Sequence, residues 1–250
     1  MTRIILSGCN GKMGGFITDC VKQKDNCTIV AGIDINTKVN DSYPVFSSPC
    51  ECKNIEADVI IDFSHPANLE NLLNFSIEKR LPIVICTTGL SSEQTEKIKE
   101  ASKKVAIFFS ANMSLGVNLL VELAKKAAKV LGNDFDIEII EKHHNQKIDA
   151  PSGTALMIAD AISSSLNEPA QYTYDRYSKR KKREKNEIGI CSVRGGTIVG
   201  EHEIIFAGRD EIISLSHSAM SKEIFATGAV NAAIFMCGKQ NGIYNMGDMV

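Results

Sequence analysis

Five short runs rich in Val and Ile, at residues 3–7, 28–34, 58–63, 83–86 and 105–109, alternate with longer stretches that carry apolar residues at helical spacing. Apolar strands separated by amphipathic helices describe parallel strands joined by crossover helices, because a parallel sheet needs a crossover for each connection and covers both of its faces. Residues 12–24, 66–79 and 91–104 read as the helices, the last with Ser91 and Gln94 at capping-box spacing. Residues 36–56 hold turn formers with little periodicity and read as loop.

After Asn112 the rhythm changes. A helix is expected over 115–131, stopped by Gly132 and Asn133, then a strand at 135–141, a polar loop, and a helix opening at Pro151, Ser152, Gly153 and Thr154. Strands at 188–194, 197–206 and 211–217 read as an antiparallel meander, and a helix at 222–237 precedes an irregular tail. The fold class expected is α/β, a Rossmann-like parallel sheet domain plus an α+β domain with a mixed sheet.

Composition narrows the function. At 250 residues and 44% apolar content the chain can build a large core or two smaller ones, and no run of about 18 apolar residues marks a membrane span. No signal-peptide pattern is read at the N-terminus, and a cytoplasmic location is expected. The eight cysteines form no CxxC pair and read as scattered core thiols, with no metal site. Seven basic residues lie between Arg176 and Lys185, yet the net charge is −2, so the rest of the chain is acidic. A nucleic-acid surface is not expected, and the basic run reads as a solvated loop.

Three sets of residues point to chemistry. Gly8, Gly11 and Gly14 follow the first strand and open the first helix, where glycines let backbone N–H groups approach a pyrophosphate. Asp34 ends the second strand, 20 residues beyond Gly14, at the place where a carboxylate accepts the ribose hydroxyls of NADH. Lys12, in the glycine loop, pulls the other way, toward the extra phosphate of NADPH. Phe63, Thr87 and Thr88 stand at later strand ends, and His65 reads as an exposed residue at a helix start.

The densest cluster runs from Glu141 to Ala155. His143, His144 and Lys147 supply groups for proton transfer or anion binding, and Ser152, Gly153 and Thr154 offer hydroxyls and backbone donors to a carboxylate. On composition alone a zinc site or a structural polar loop stays open. His202 and His217 are the further histidines to consider, although their spacing gives no recognisable ligand set.

This fifteen-residue run resembles the signature of the dihydrodipicolinate (4-hydroxy-tetrahydrodipicolinate) reductase family of lysine and diaminopimelate biosynthesis. The likeness continues through the glycine loop, Asp62 and Phe63, Thr87 to Gly89, Ala111 and Asn112, Gly116 to Asn118, Val199 to His202, and Gly228 to Val230. The resemblance implies NADH- or NADPH-dependent reduction of a small cyclic dicarboxylate, with NADH slightly favoured by Asp34. It implies His143 and Lys147 as acid/base and proton-donating residues, and His144, Lys147, Ser152, Gly153 and Thr154 at the substrate. It places Gly8, Cys9, Asn10, Gly11, Lys12, Met13, Asp34, Cys86, Thr87, Thr88, Ser110, Ala111, Asn112 and Met113 at the cofactor, where Phe63 is expected from its strand-end position.

Three positions depart from the family pattern: Cys86 stands for the usual Gly, Met113 for Phe, and Ile35 for an Arg found in some relatives. The resemblance further implies a dinucleotide-binding domain of residues 1–113 with 220–250, and a substrate-binding and oligomerisation domain of residues 114–219. A homotetramer built through the second domain's sheet would use the apolar strands near Cys191 and Ile204. Substrate would be held between the domains, and neither nucleic acid nor membrane is an expected partner.

Overall fold

The computed structural model describes residues 1–38, 42–110 and 112–249. The chain divides into two compact units, one formed by Met1–Leu115 with Glu223–Val250 and the other by Gly116–Lys222.

The first unit is a doubly wound sheet. Its elements in order are β1 (Thr2–Ser7), α1 (Lys12–Lys22), β2 (Cys27–Ile33), β3 (Val45–Phe46), β4 (Val59–Asp62), α2 (Leu69–Lys79), β5 (Ile83–Ile85), α3 (Ser92–Ser102) and β6 (Ala106–Phe109). The strand order β12-β6-β5-β4-β1-β2-β3 is parallel throughout, where β12 (Gly242–Tyr244) arrives from the C-terminal tail. Side chains alternate across the sheet, so Ile4 and Leu6 of β1 face one cluster and Ile5 faces the other. Ile17 and Val21 of α1 join the first cluster, while Leu72 of α2 and Ile98 of α3 join the second. The Ser91 capping box at α3 is formed: the Gln94 N–H donates to Ser91 Oγ at 3.2 Å and the Ser91 N–H to Gln94 Oε1 at 3.0 Å.

The second unit begins with the rest of α4 (Leu115–Leu131), which has the expected bounds. It continues through β7 (Asp136–His143), α5 (Gly153–Ser163), β8 (Gln171–Thr173), β9 (Glu187–Arg194), β10 (Gly200–Ala207) and β11 (Ile212–Ala219). The final helix, α6 (Glu223–Met236), belongs to the first unit and lays Ala226, Ala229, Val230 and Ala233 into its core. Ile137 and Ile139 of β7, Ile188 and Ile190 of β9, and Ile204 and Phe206 of β10 pack against Leu120 and Ala124 of α4 and Ile158 and Ile162 of α5.

Several expectations are corrected. The stretch read as loop at 36–56 contributes β3 and a 3-10 turn at Pro49–Cys52, and the irregular tail contributes β12. Neither three-residue nor two-residue strands carry a readable period, and neighbours supply their pairing. The meander is limited to β10 and β11, because β7 lies between β9 and β10 and pairs parallel with β9. Ile204 is fully buried in the unit's own core and is absent from the outer face, where Cys191 and Val193 are exposed instead.

The basic run is not a freely solvated loop either. Arg176 pairs with Glu138 and Glu187, and Arg183 pairs with Asp136 and Glu138 while donating to the carbonyls of Ile137 and Glu187. With Lys181 beside Glu184 and Glu187, three of the run's seven basic residues are paired with acids. Lys179, Arg180 and Lys182 are exposed.

Candidate active site

In the first unit the strand order reverses direction between β1 and β4, and ligands of doubly wound sheets lie outside the carboxyl ends of the strands at such a point. A cleft of ≈ 500 Å³ opens there, lined by Gly8 and Gly11 after β1, Asp34 and Ile35 after β2, and Phe63, Ser64 and His65 after β4. Two glycines make it possible. Gly8 has φ +79°, and a Cβ there would stand 2.6 Å from the Phe63 carbonyl oxygen; one on Gly14 would stand 2.3 Å from the Cys9 carbonyl oxygen. Both obstacles are backbone, so only glycine fits.

Asp34 is tied to this loop. Its Oδ2 accepts the Asn10 N–H at 3.0 Å and its Oδ1 the Asn36 N–H at 3.0 Å. A carboxylate has about four acceptor positions, so two remain for ribose hydroxyls. Lys12 is exposed, and Met13 is half-buried against the core. Burial pushes the Cys9 thiol up to about 11 and the Cys86 thiol well above its ordinary value, so both are inert packing groups at these strand ends.

Asp62 was not among the expected site residues, yet it organises the neighbouring strand ends. Burial favours its protonated form, while its oxygens accept from Ser64 Oγ at 2.6 Å and Thr87 Oγ1 at 2.7 Å. Thr87 is thus a buried, oriented group, and Thr88 is exposed. Ser110 Oγ donates to the Asn112 carbonyl at 3.1 Å, and Asn112 Oδ1 accepts the Ser114 N–H at 2.8 Å. Met113 lies in the core, with its carbonyl where a Cβ on Gly228 would fall. Ala111 lies outside the described residues. His65 is exposed, and its Nδ1 accepts the Ala67 N–H at 3.2 Å to cap a 3-10 turn.

The second unit gathers charged groups at the end of an otherwise apolar sheet face. On β7 the two-residue period that sends Ile137 and Ile139 to the helix-covered face sends Glu141 and His143 there as well. Register sets Glu141 opposite His202 on β10, and His143 opposite Arg194 on β9. Glu141 is fully buried; Arg194 grips it through two bonds of 2.7 and 2.8 Å, and His143 Nδ1 lies 2.6 Å from its Oε2. Burial alone would raise the Glu141 carboxyl, but hydrogen bonds from Arg194, Ser192 and His143 outweigh it and hold the group at about 2.

Ser152 caps α5 by accepting the Ala155 N–H at 3.2 Å, and its hydroxyl lies 3.1 Å from His202 Nε2. It is only 2% exposed, so its hydroxyl serves the protein interior, while Gly153 is exposed and Thr154 half-buried beside it. Burial, reinforced by His143, pushes His202 down to about 4, which keeps it neutral at physiological pH. Lys147 is half-buried, with Nζ 2.8 Å from the exposed Asp149 carboxylate, and His144 is half-buried next to His143.

Sequence reasoning brought together His143, Lys147 and the α5 start, but missed Glu141 as a participant and Arg194 altogether. The alternation along β7 was the available signal for Glu141. Arg194 lies 53 residues away and is delivered by parallel pairing that short-range patterns do not reveal.

Family models described as dihydrodipicolinate reductase, N-terminus, and dihydrodipicolinate reductase, C-terminus, match residues 2–113 and 116–250. This chain belongs to the dihydrodipicolinate reductase family. Within that family it is 54% identical over 250 residues to the 4-hydroxy-tetrahydrodipicolinate reductase of Caldanaerobacter subterraneus subsp. tengcongensis, covering 100% of this chain and 98% of the relative. The enzyme of the same name from Clostridium tetani is 52% identical, with 100% and 97% covered. Among solved structures, the dipicolinate-bound dihydrodipicolinate reductase from Paenisporosarcina sp. TG-14 superposes with a TM-score of 0.84 at 25% identity over the full length of both chains. The expected fold class is the observed one: a seven-stranded parallel Rossmann-like sheet and a five-stranded mixed sheet.

Proposed function

We propose that the two units divide the labour of the family reaction, the first holding a reduced nicotinamide dinucleotide and the second binding and protonating the substrate. The chain is an oxidoreductase that reduces 4-hydroxy-tetrahydrodipicolinate to tetrahydrodipicolinate in lysine and diaminopimelate biosynthesis. The observation that carries the division is the pairing of a glycine-walled cleft in one unit with an acid/base and anion-binding cluster in the other.

The cofactor is NAD(P)H, and the cleft suits it: where Gly8 and Gly14 exclude any Cβ, backbone N–H groups of the loop and of the α1 start can approach a pyrophosphate. When bound, the nicotinamide supplies hydride. Gly8, Cys9, Asn10, Gly11, Lys12 and Met13 would follow the phosphates. Asp34 would accept the adenosine ribose hydroxyls, which favours NADH. Phe63, Cys86, Thr87, Thr88, Ser110, Asn112 and Met113 would surround the nicotinamide end.

In the second unit, Lys147 would pair with a substrate carboxylate and donate the proton that follows hydride addition. Its present partner Asp149 is an exposed carboxylate, and such pairs are weak enough to exchange. Backbone donors at the Gly153–Thr154 start of α5 would take a carboxylate, as helix N-termini do for anions, with Ser152 fixing that start. His143 would act in proton transfer and His144 would contact substrate. Assembly as a homotetramer and a cytoplasmic location belong to the same reading; no helix among the described residues is long and apolar enough to cross a membrane.

Oxidation of NADH and of NADPH in the presence of freshly made 4-hydroxy-tetrahydrodipicolinate tests this reading. Turnover with both, and a higher kcat/KM for NADH, is expected. Binding of either cofactor without substrate-dependent oxidation would refute the enzymatic assignment, and a strong preference for NADPH would refute the role given to Asp34.

A further inference from the structure

Both oxygens of Glu141 are held by N–H groups, in addition to the Ser192 hydroxyl. Oε1 takes the Ser152 N–H at 3.1 Å and Arg194 Nη2 at 2.7 Å; Oε2 takes Arg194 Nη1 at 2.8 Å and lies 2.6 Å from His143 Nδ1. We propose that Glu141, clamped by Arg194, is a positioning residue that fixes the tautomer and direction of His143 and ties that ring to the start of α5. The proposal rests on the acid/base role given to His143 above.

The chemistry of the groups leaves one arrangement. An ionised carboxylate only accepts, and Arg194 and the Ser152 amide only donate, so the proton between Glu141 and His143 sits on Nδ1. A protonated Glu141 could aim its hydrogen only at Nδ1 or the Ser192 hydroxyl and would forfeit its ion pair with Arg194, so the two-bond guanidinium grip holds it ionised. Nε2 is then the nitrogen that exchanges protons. It points toward Gly200, where a Cβ would stand 3.1 Å away, so the absence of a side chain on β10 gives that nitrogen its space.

Other groups facing His143 do not compete for Nδ1. His202 from β10 meets it edge to face with ring centroids 5.3 Å apart, and its Nε2 is engaged with Ser152 Oγ. Lys147, on the loop after β7, is paired with Asp149, and His217 of β11 stands opposite His202 in the sheet. Arg194 also donates to the Asp149 carbonyl at 2.6 Å, so the same guanidinium that holds Glu141 anchors the loop carrying Lys147. One buried carboxylate and one arginine thereby fix three expected participants: His143, Lys147 and the α5 start.

The test is the ¹⁵N spectrum of histidine-labelled protein, wild type and Glu141→Gln, with kcat per folded molecule and the cofactor Kd measured alongside. Wild-type His143 should carry its hydrogen on Nδ1. In Glu141→Gln the amide NH₂ must face one of the former donors, so an Nε2–H population of His143 should appear. Turnover should fall by about two to four powers of ten, as when an orienting carboxylate or a general acid is removed. The cofactor Kd should move by less than about twofold.

A wild-type Nε2–H tautomer, or a tautomer unchanged in Glu141→Gln, would overturn the positioning role. A changed tautomer with unchanged kcat would instead overturn the acid/base reading of His143, and the catalytic consequence with it. The wild-type spectrum decides even if Glu141→Gln fails to fold. Arg194→Met supplies a second variant: it keeps the carboxylate against Nδ1, so the Nδ1–H form should persist while thermal stability falls. Loss of that form in Arg194→Met with Glu141 still ionised, read from the ¹³C shift of its carboxyl carbon, would count against Glu141 as its cause.

Discussion

The cleft of the first unit and the cluster of the second solve opposite problems. The cleft is made by leaving atoms out: Gly8 and Gly14 are bare because neighbouring carbonyls occupy the places where side chains would begin. The cluster is made by putting charges in, with a fully buried carboxylate whose desolvation is offset by four hydrogen-bond donors. A site built from backbone tolerates changes of charge and fails on changes of volume, whereas a site built from a buried ion network does the reverse.

The largest effect that would break this contrast is at Gly14. Gly14→Val puts a branched side chain into the Cys9 and Gly8 carbonyls and should abolish measurable cofactor binding, checked by quenching or energy transfer with NADH. Retained binding would mean that the loop can move aside and that the cleft does not depend on its glycines.

Charge removal in the second unit comes next. Arg194→Met strands Glu141 in the interior and should cost about 3 kcal/mol of stability in urea unfolding, the lower part of the range for breaking a buried pair because Arg194 keeps one side in water.

Acid sensitivity is smaller and has a defined window. His202 sits at about 4 against an ordinary 6.5, so the unfolded chain takes up its proton first. Its contribution is complete above about 6.5 and is lost as pH falls toward 4. Glu141, at about 2 against an ordinary 4.5, also binds protons more readily when unfolded; its contribution is complete above about 4.5 and is lost as pH falls toward 2. His202→Gln should therefore flatten the decline in urea midpoint between about 6.5 and 4, worth at most about 3 kcal/mol, and leave the lower window in place.

The smallest effect concerns the basic run. Replacing Lys179, Arg180 and Lys182 together with Ser should change stability by less than about 0.5 kcal/mol, since these are exposed surface positions, whereas Arg183→Ser breaks bonds to Asp136, Glu138 and two carbonyls and should cost more.

How much of this was legible in the sequence follows from the range of the forces involved. The Val- and Ile-rich runs are buried strands because they are apolar on both faces, and the 115–131 helix is bounded by its own periodicity and by Gly132. Local chemistry also marked the glycine loop and the start of α5. What stayed hidden depends on partners far along the chain: β3 and β12 exist because a neighbouring strand offers them hydrogen bonds, and Arg194 reaches Glu141 only because β9 pairs parallel with β7. The cleft was legible because backbone geometry is encoded nearby. The ion network was half legible because its charges converge from separate strands.

The division of labour is tested most directly by Lys147→Ala, with NADH affinity and turnover measured on one preparation. The expected result is an unchanged NADH Kd and a kcat lowered by about two to four powers of ten, the range for loss of a general acid. Unchanged turnover, or loss of NADH binding in parallel with turnover, would contradict the assignment of proton donation to the second unit and cofactor binding to the first.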